Sequence, residues 1–225
     1  MTDISQRLQT IASLIKHDTV LDIGSDHALL PVYLAENSCG VRVCATEISE
    51  GPFNIAEKAV ISAGLFHRIE LRRGDGFEPV SAGEFETAVI AGMGGMLIIE
   101  ILGKALEKAR AFKQLILQPQ RDVAAVRRYL YANGFYINDE IMLFEGKYYT
   151  IIEAAPGSVP EAAYSCLEFE FGRKLIEKKC GVLKNYVKDE IMRKGRVISG
   201  LPAGERLDEL RMYVEMCERV LRIID

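Results

Sequence analysis

The chain has 225 residues, 49% of them hydrophobic and 27% charged, with a formal net charge of -4. That length suits one α/β domain with an appendage and its apolar content can fill a core, while the mild acidity excludes a protein that grips nucleic acid by bulk charge alone. The five cysteines (Cys39, Cys44, Cys166, Cys180, Cys217) form no C-x-x-C pair; they exclude a disulfide framework and a zinc cluster and predict a metal-free protein of a reducing compartment.

The start, Met1-Thr2-Asp3-Ile4-Ser5-Gln6-Arg7, lacks a signal-peptide layout, and no apolar run reaches bilayer length, so a soluble cytoplasmic protein off the membrane is expected. A helix is predicted over 4–15, then a buried strand at 19–23. A helix at 28–36, a strand at 41–47 and a helix at 52–63 follow, the last opened by Pro52, whose missing N–H would have been unpaired there. Strands at 68–73 and 86–91, a helix at 96–109, a strand at 114–118 and a helix at 123–133 complete the alternation. Such alternation predicts βαβ units, right-handed crossovers and a doubly wound, mostly parallel α/β sheet.

Residues 135–144 and 148–154 are strand-like runs joined by Glu145-Gly146-Lys147 with no helix between, which predicts an antiparallel hairpin on one sheet edge. Seven strands ending in a hairpin resemble the Rossmann-like layout of class I methyltransferases rather than the six parallel strands of a nicotinamide-binding domain. Ala155-Pro156-Gly157-Ser158-Val159-Pro160 then punctuates the chain and is the expected boundary between a domain at 1–157 and an extension at 158–225. In the extension, Leu207, Leu210, Val214, Cys217, Leu221 and Ile224 are spaced 3, 4, 3, 4, 3, and Ile176, Cys180, Leu183, Val187 and Ile191 form a similar stripe. With Gly200-Leu201-Pro202-Ala203-Gly204 as the turn, an antiparallel coiled-coil hairpin is predicted. Nine Lys/Arg and three acids fall within 173–196; that basic stretch, which includes Lys178 and Lys188, either contacts RNA phosphates or is a solvated outer face.

The first strand runs into Asp22-Ile23-Gly24-Ser25-Asp26-His27-Ala28, a strand, a small-residue turn and a helix start whose backbone can approach a ligand closely. The pattern G-x-G-x-x-G is absent, because Asp26 stands at its second glycine. An aspartate repels a pyrophosphate and attracts the α-ammonium of a methionine, which favours S-adenosylmethionine over NAD as cofactor. Glu47 ends the second strand, where an acid can accept both ribose hydroxyls; singly it is as readily a solvated acid. Gly74-Asp75-Gly76 follows the third strand, where Asp75 is either a contact to the adenine amine or a turn former. Ala91-Gly92-Met93-Gly94-Gly95 follows the fourth, with Met93 open to a mere packing role. All lie at C-terminal strand ends, where open α/β sheets bind ligands. The cofactor-binding set is therefore Gly24, Ser25, Asp26, Glu47, Asp75, Gly76, Gly92, Met93 and Gly94.

These strings, together with Leu30-Pro31, Gly51-Pro52 and Leu115-Ile116-Leu117-Gln118-Pro119, resemble the bacterial tRNA adenine(22)-N1 methyltransferase family. The likeness runs over nearly the whole chain, including Ser5, Arg7-Leu8, Gly146-Lys147 with Tyr149, and the C-terminal helices. Gln120 and Arg173 depart from it, standing where Asn and Pro are expected. The resemblance implies methyl transfer from S-adenosylmethionine to N1 of an adenine in the D-arm of tRNA, the extension helping to hold the RNA.

Such a transfer is an in-line displacement needing position, dryness and charge stabilisation. N1 lies on the pairing edge, so the base must be unpaired or flipped. Asp26 and His27 are the polar residues expected nearest the reaction, His27 either as proton acceptor or with a structural hydrogen bond. Arg7, Gly95, Gln118, Pro119, Lys178 and Lys188 are expected to face the substrate, Arg7 with a simple helix-face charge as its alternative. Backbone carbonyls of the 92–95 loop are expected to accept from the adenine amine. A small-molecule methyltransferase whose hairpin only dimerises, and a catalytically silent RNA binder, remain as rivals, and the chain is expected to be a monomer or weak dimer.

Overall fold

The computed structural model describes residues 2–38, 40–157 and 163–225; Met1, Cys39 and the Ser158-Val159-Pro160 part of the expected boundary lie outside them. The strands are β1 (Thr19–Ile23), β2 (Arg42–Glu47), β3 (Ile69–Arg73), β4 (Thr87–Met93), β5 (Gln114–Pro119), β6 (Phe135–Glu145) and β7 (Lys147–Pro156). Helix α1 (Gln6–Leu14) precedes β1; α2 (Leu29–Asn37) and α3 (Glu50–Ser62) follow β1 and β2; α4 (Gly95–Lys104) and α5 (Leu106–Ala109) follow β4; α6 (Val123–Ala132) follows β5. The sheet order is β3-β2-β1-β4-β5-β7-β6, with β1 to β5 parallel and β7 antiparallel to both its neighbours.

Alternation along the strands decides the layering. Leu21, Leu115 and Leu117 join a core on one face with Phe77, Ile98, Leu102, Val126 and Leu130, while Val20 and Ile116 join Ile11, Leu34, Val60 and Ile151 on the other. With both faces covered by helices, β5 reads as a fully buried run rather than an alternating one. Cys44 sits in that core, and burial pushes its thiol up to about 12, which leaves it unreactive.

The helix expected over 96–109 is broken at Ala105, whose backbone leaves the helical region. The break re-aims α5 so that Lys108 donates to the carbonyls of Phe77 and Glu78 at 3.0 and 3.1 Å. At the other edge β6 carries a register shift between Ile137 and Asp139, which sends Glu140 inward. There its carboxylate meets Arg127 of α6 at 2.7 Å, both side chains essentially solvent-free.

C-terminal to the described sheet come α7 (Cys166–Phe171), α8 (Arg173–Glu177), α9 (Gly181–Ile198) and α10 (Glu205–Ile224). Ser165 and Glu168 form a capping box at the start of α7. The expected stripe from Ile176 to Ile191 is interrupted: α8 ends at Glu177, and Lys179 takes a left-handed conformation (φ 50) before α9 begins. The N–H of Cys180 closes on the Leu175 carbonyl at 3.0 Å, a helix stop of the Schellman type with lysine where glycine is usual. Helix α10 returns along α9, with Lys184 paired to Asp225 at 2.5 Å and Lys194 over the Tyr213 ring. Its buried positions are Leu207, Cys217, Val220 and Ile224. Val220 replaces Leu221 of the expected seam because this face also packs on Met142, Leu167 and Phe171. Among the described residues no helix is long and apolar enough to cross a membrane.

Candidate active site

The turn after β1 is built on left-handed residues. Gly24 (φ 71), Asp26 (φ 47) and Ala28 (φ 53) all have positive φ, uncommon for Asp and Ala and tolerated where the surroundings fix the backbone. The Gly24 N–H donates to the Thr46 carbonyl at 2.9 Å and the Ala28 N–H to that of Ser25 at 2.8 Å. The Asp26 N–H donates to Glu47 Oε2 at 3.1 Å, and the Ile48 N–H to Glu47 Oε1 at 3.2 Å. Glu47 is thus aimed by backbone at the end of β2.

Two cavities open along this edge. One, of about 290 Å³, is lined by Arg7, Asp22, Gly24, Ser25, Asp26, His27, Ala91, Gly92, Met93 and Gln120, together with Leu8, Leu29 and Leu30. The other, of about 260 Å³, is lined by Gly24, Thr46, Glu47, Ile48, Asp75, Gly76, Met93, Leu97 and Lys104 among others. They share Gly24 and Met93, and a Cβ at Gly24 would run into the Met93 Cε. The two therefore form one trench pinched where Met93 lies on Gly24. Carboxylates line both halves, Asp22 and Asp26 in one and Glu47 and Asp75 in the other, with Gly24 shared at the waist.

Asp22, absent from the expected site residues, lines the first cavity at 6% exposure. Burial pushes its carboxyl up to about 6, against the Ser25 hydroxyl bond at 2.6 Å that lowers it; Glu47 adds to the rise and Arg7 opposes it. The sequence signal was an aspartate inside an otherwise apolar strand. Asp26 and His27 are exposed at the mouth, 3.4 Å apart. Asp75 lines the second cavity with its carboxylate on Lys104 Nζ at 2.9 Å; Glu100 first and Asp75 second hold that ammonium charged.

Several expectations about the substrate side are corrected. Gln118 is fully buried, its oxygen accepting from Arg7 Nη1 at 2.8 Å and the Gly92 N–H at 3.2 Å, so it braces the loop instead of facing the cavity. Pro119 is buried beside it, and Gln120, one residue further, is exposed and lines the cavity. The Met93 carbonyl accepts from the Gln120 N–H at 2.7 Å and that of Gly94 from the first turn of α4, so both are engaged inside the protein. Gly95 is a packing glycine, since a Cβ there would stand 2.7 Å from the carbonyl oxygens of Arg121 and Asp122. Lys178 is paired with Asp139, and Lys188 is exposed on α9; neither lines the trench. Arg173, Lys174, Lys184 and Arg193 are paired with acids as well, so the basic stretch is less free than its composition indicates.

Arg7 enters the first cavity because α1 is pinned over it. Ser5 caps the helix, and the Gln6 and Arg7 N–H groups donate to Glu145 of the hairpin at 2.8 and 3.3 Å. Tyr149 lies beneath both Arg7 and Lys147, 5.6 and 5.0 Å from the ring centroid.

A family model described as tRNA (adenine(22)-N(1))-methyltransferase matches residues 20–220. The tRNA (adenine(22)-N(1))-methyltransferase of Bacillus subtilis is 40% identical over 171 residues, 75% of this chain and 71% of that protein. TrmK of M. capricolum, solved with S-adenosyl-homocysteine, superposes with a TM-score of 0.87 at 27% identity over 99% of both chains. A Streptococcus pneumoniae protein solved with S-adenosyl-L-methionine gives the same TM-score of 0.87 at 31% identity, covering 97% of this chain and 100% of that one.

Proposed function

This chain belongs to the tRNA (adenine(22)-N(1))-methyltransferase family, and from that premise we propose that it transfers the methyl group of S-adenosylmethionine to N1 of adenine 22 in the D-arm of tRNA. The observation that carries the reading is the trench pinched at Gly24 and Met93, with Glu47 and Asp75 in one half and Asp22 and Asp26 in the other. Bound there, S-adenosylmethionine supplies an electrophilic methyl on a sulfonium. In our reading Glu47, its oxygens held by the Asp26 and Ile48 N–H groups, accepts the ribose hydroxyls. Asp75, Gly76 and Ile48 border the adenine, and Asp22, Ser25 and Asp26 hold the amino-acid end. Gly24 and Gly92 let the backbone come close and Met93 covers the waist, whereas Gly94 lies against Arg121 outside both halves.

Adenine N1 carries its own lone pair, so no activated nucleophile is needed; the residues must orient the ring and exclude water. Positive charge arrives on the base as the bond forms, and the carboxylates of Asp22 and Asp26 offset it. His27 stands beside Asp26 as a place for a proton. Gln118 and Pro119 position Gln120, which borders the base, and Arg7 lies on the substrate side.

Residues 1–157 form the catalytic domain and 158–225 an extension in which Lys188 faces RNA. The protein acts in the cytoplasm, where its tRNA partner is, as a monomer or weak dimer. The test is incubation of purified protein with labelled methyl donor and unmodified tRNA, followed by nucleoside analysis: label in 1-methyladenosine supports the proposal, and label in any other nucleoside overturns it.

A further inference from the structure

Beside the trench lies a second depression. Its volume is about 570 Å³, and it runs between the loop after β5, the β6–β7 hairpin and the C-terminal helices, with Gln120, Arg121, Tyr148, Glu170 and Tyr186 in its wall. Gln120 also lines the Asp26 cavity, so the two depressions share a rim. Lys147 donates to Gln120 Oε1 across that rim at 2.7 Å. Arg121 is 82% exposed, reaches Asp122 only at 3.7 Å, and lies against Gly94 of the trench loop. The Tyr148 ring is held edge-on to Tyr186, centroids 5.2 Å apart, while its hydroxyl is fixed to Asp189 at 2.5 Å.

We propose that this cleft receives the nucleotide adjacent to the methylated adenine; the inference rests on the RNA-methyltransferase reading above. A base whose pairing edge is presented to the trench has left its stack, so its neighbour has lost a stacking partner and its backbone must cross the rim. The rim offers what that passage needs: two cations, Arg121 and Lys147, for a phosphate, and an immobilised aromatic ring for the neighbouring base. Stacking on such a ring is tolerant of base identity, and the Glu170 carboxylate can accept a base N–H. The volume lies within the range of small-ligand pockets, about 300–1,000 Å³. The extension thereby acts as one wall of the RNA site rather than as a distant handle.

The test has two arms. An RNA of substrate sequence carrying 4-thiouridine next to the target adenine is irradiated with the protein and S-adenosylhomocysteine, and the adducts are mapped. Adducts on residues 120–125, Tyr148 or Tyr186 are expected; adducts confined to other segments, or none, overturn the proposal. In kinetics, Tyr148→Leu should raise KM for RNA about tenfold, with KM for S-adenosylmethionine unchanged, while Tyr148→Phe, which keeps the ring and loses the Asp189 bond, stays near wild type. Equal losses in both variants would assign Tyr148 a purely structural role and overturn the proposal. Arg121→Gln, at an exposed position, should raise KM for RNA and reduce its salt dependence by about one phosphate contact, and an unchanged KM counts against the site. A wild-type protein that methylates no RNA would instead sink the functional reading itself, a result distinct from an active wild type with indifferent variants.

Discussion

Gly24→Ala is the sharpest perturbation of the trench. The residue has φ 71, and an added Cβ would meet the Met93 methyl. Holding alanine in the left-handed region costs about 1–2 kcal/mol. Moving Met93 off its rotamer adds about 0.5–1.5 kcal/mol, and the lost contact of its methyl about 0.8 kcal/mol. The combined loss of about 2–4 kcal/mol lowers Tm by about 4–16 °C for a chain of this length. Affinity for S-adenosylmethionine should fall by at least about tenfold, because the displaced thioether enters one or other half of the trench, where it competes with the ligand. The assay is a double-mutant cycle read by thermal melting and by calorimetry with the cofactor. Met93→Ala in the Gly24→Ala background removes the collision but not the backbone cost, so a coupling of about 1–2 kcal/mol is expected between two touching residues. Additive effects, or a Gly24→Ala protein with wild-type affinity, would refute the claim that Met93 seated on Gly24 forms the waist of one site.

Asp22 is an acid whose folded pKa, about 6, stands above its usual value of 3.8, so the native state binds a proton that the unfolded chain does not. Its contribution to stability is present below pH 4 and lost as pH rises to about 6, a change of about 3 kcal/mol by linkage; Asp22→Asn should flatten that part of a pH series of denaturant melts. Arg127→Met leaves Glu140 buried without its partner and breaks donations to the Phe169 and Glu170 carbonyls at 2.9 and 2.7 Å. Chemical denaturation should show a loss of about 3–5 kcal/mol, largely restored when Glu140→Leu is added. Lys179, Lys188, Lys194 and Arg196 are the basic residues of 173–196 outside any ion pair among the described residues. This segment should therefore contribute a slope of at most about −4 to log K against log salt, and Lys188→Ala should reduce it by about one; an unchanged slope would remove that helix from the RNA interface.

The sheet was legible because both of its faces are buried. Apolar runs such as Leu115-Ile116-Leu117, with helical segments between them, leave few other arrangements, and Glu145-Gly146-Lys147 marks the one antiparallel return. The break at Lys179 was not legible, because a left-handed helix stop normally announces itself by glycine and here a lysine holds that conformation. Val220 lies off the two-helix repeat in the sequence, because α10 also packs on Phe171 and Met142.

In the site, the strand-end acids and glycine strings were readable since their chemistry resides in the residue types themselves. The role of Asp22 depends on burial, which its letter does not carry. Gln118 lies near the end of the buried strand and Gln120 just past it, and the sequence carries the same amide at both, so burial alone separates the brace from the cavity residue. The free charge of the basic stretch is smaller than its composition, because Asp139, Glu168 and Asp225, which neutralise part of it, lie on other segments.

A crystal structure of this chain with S-adenosylhomocysteine tests the central claim most directly. One molecule should span both halves of the trench, ribose hydroxyls on Glu47, amino-acid end beside Asp22 and Asp26, and sulfur at the Gly24–Met93 waist. A ligand bound elsewhere, or ribose and amino-acid ends exchanged between the two halves, would contradict the account.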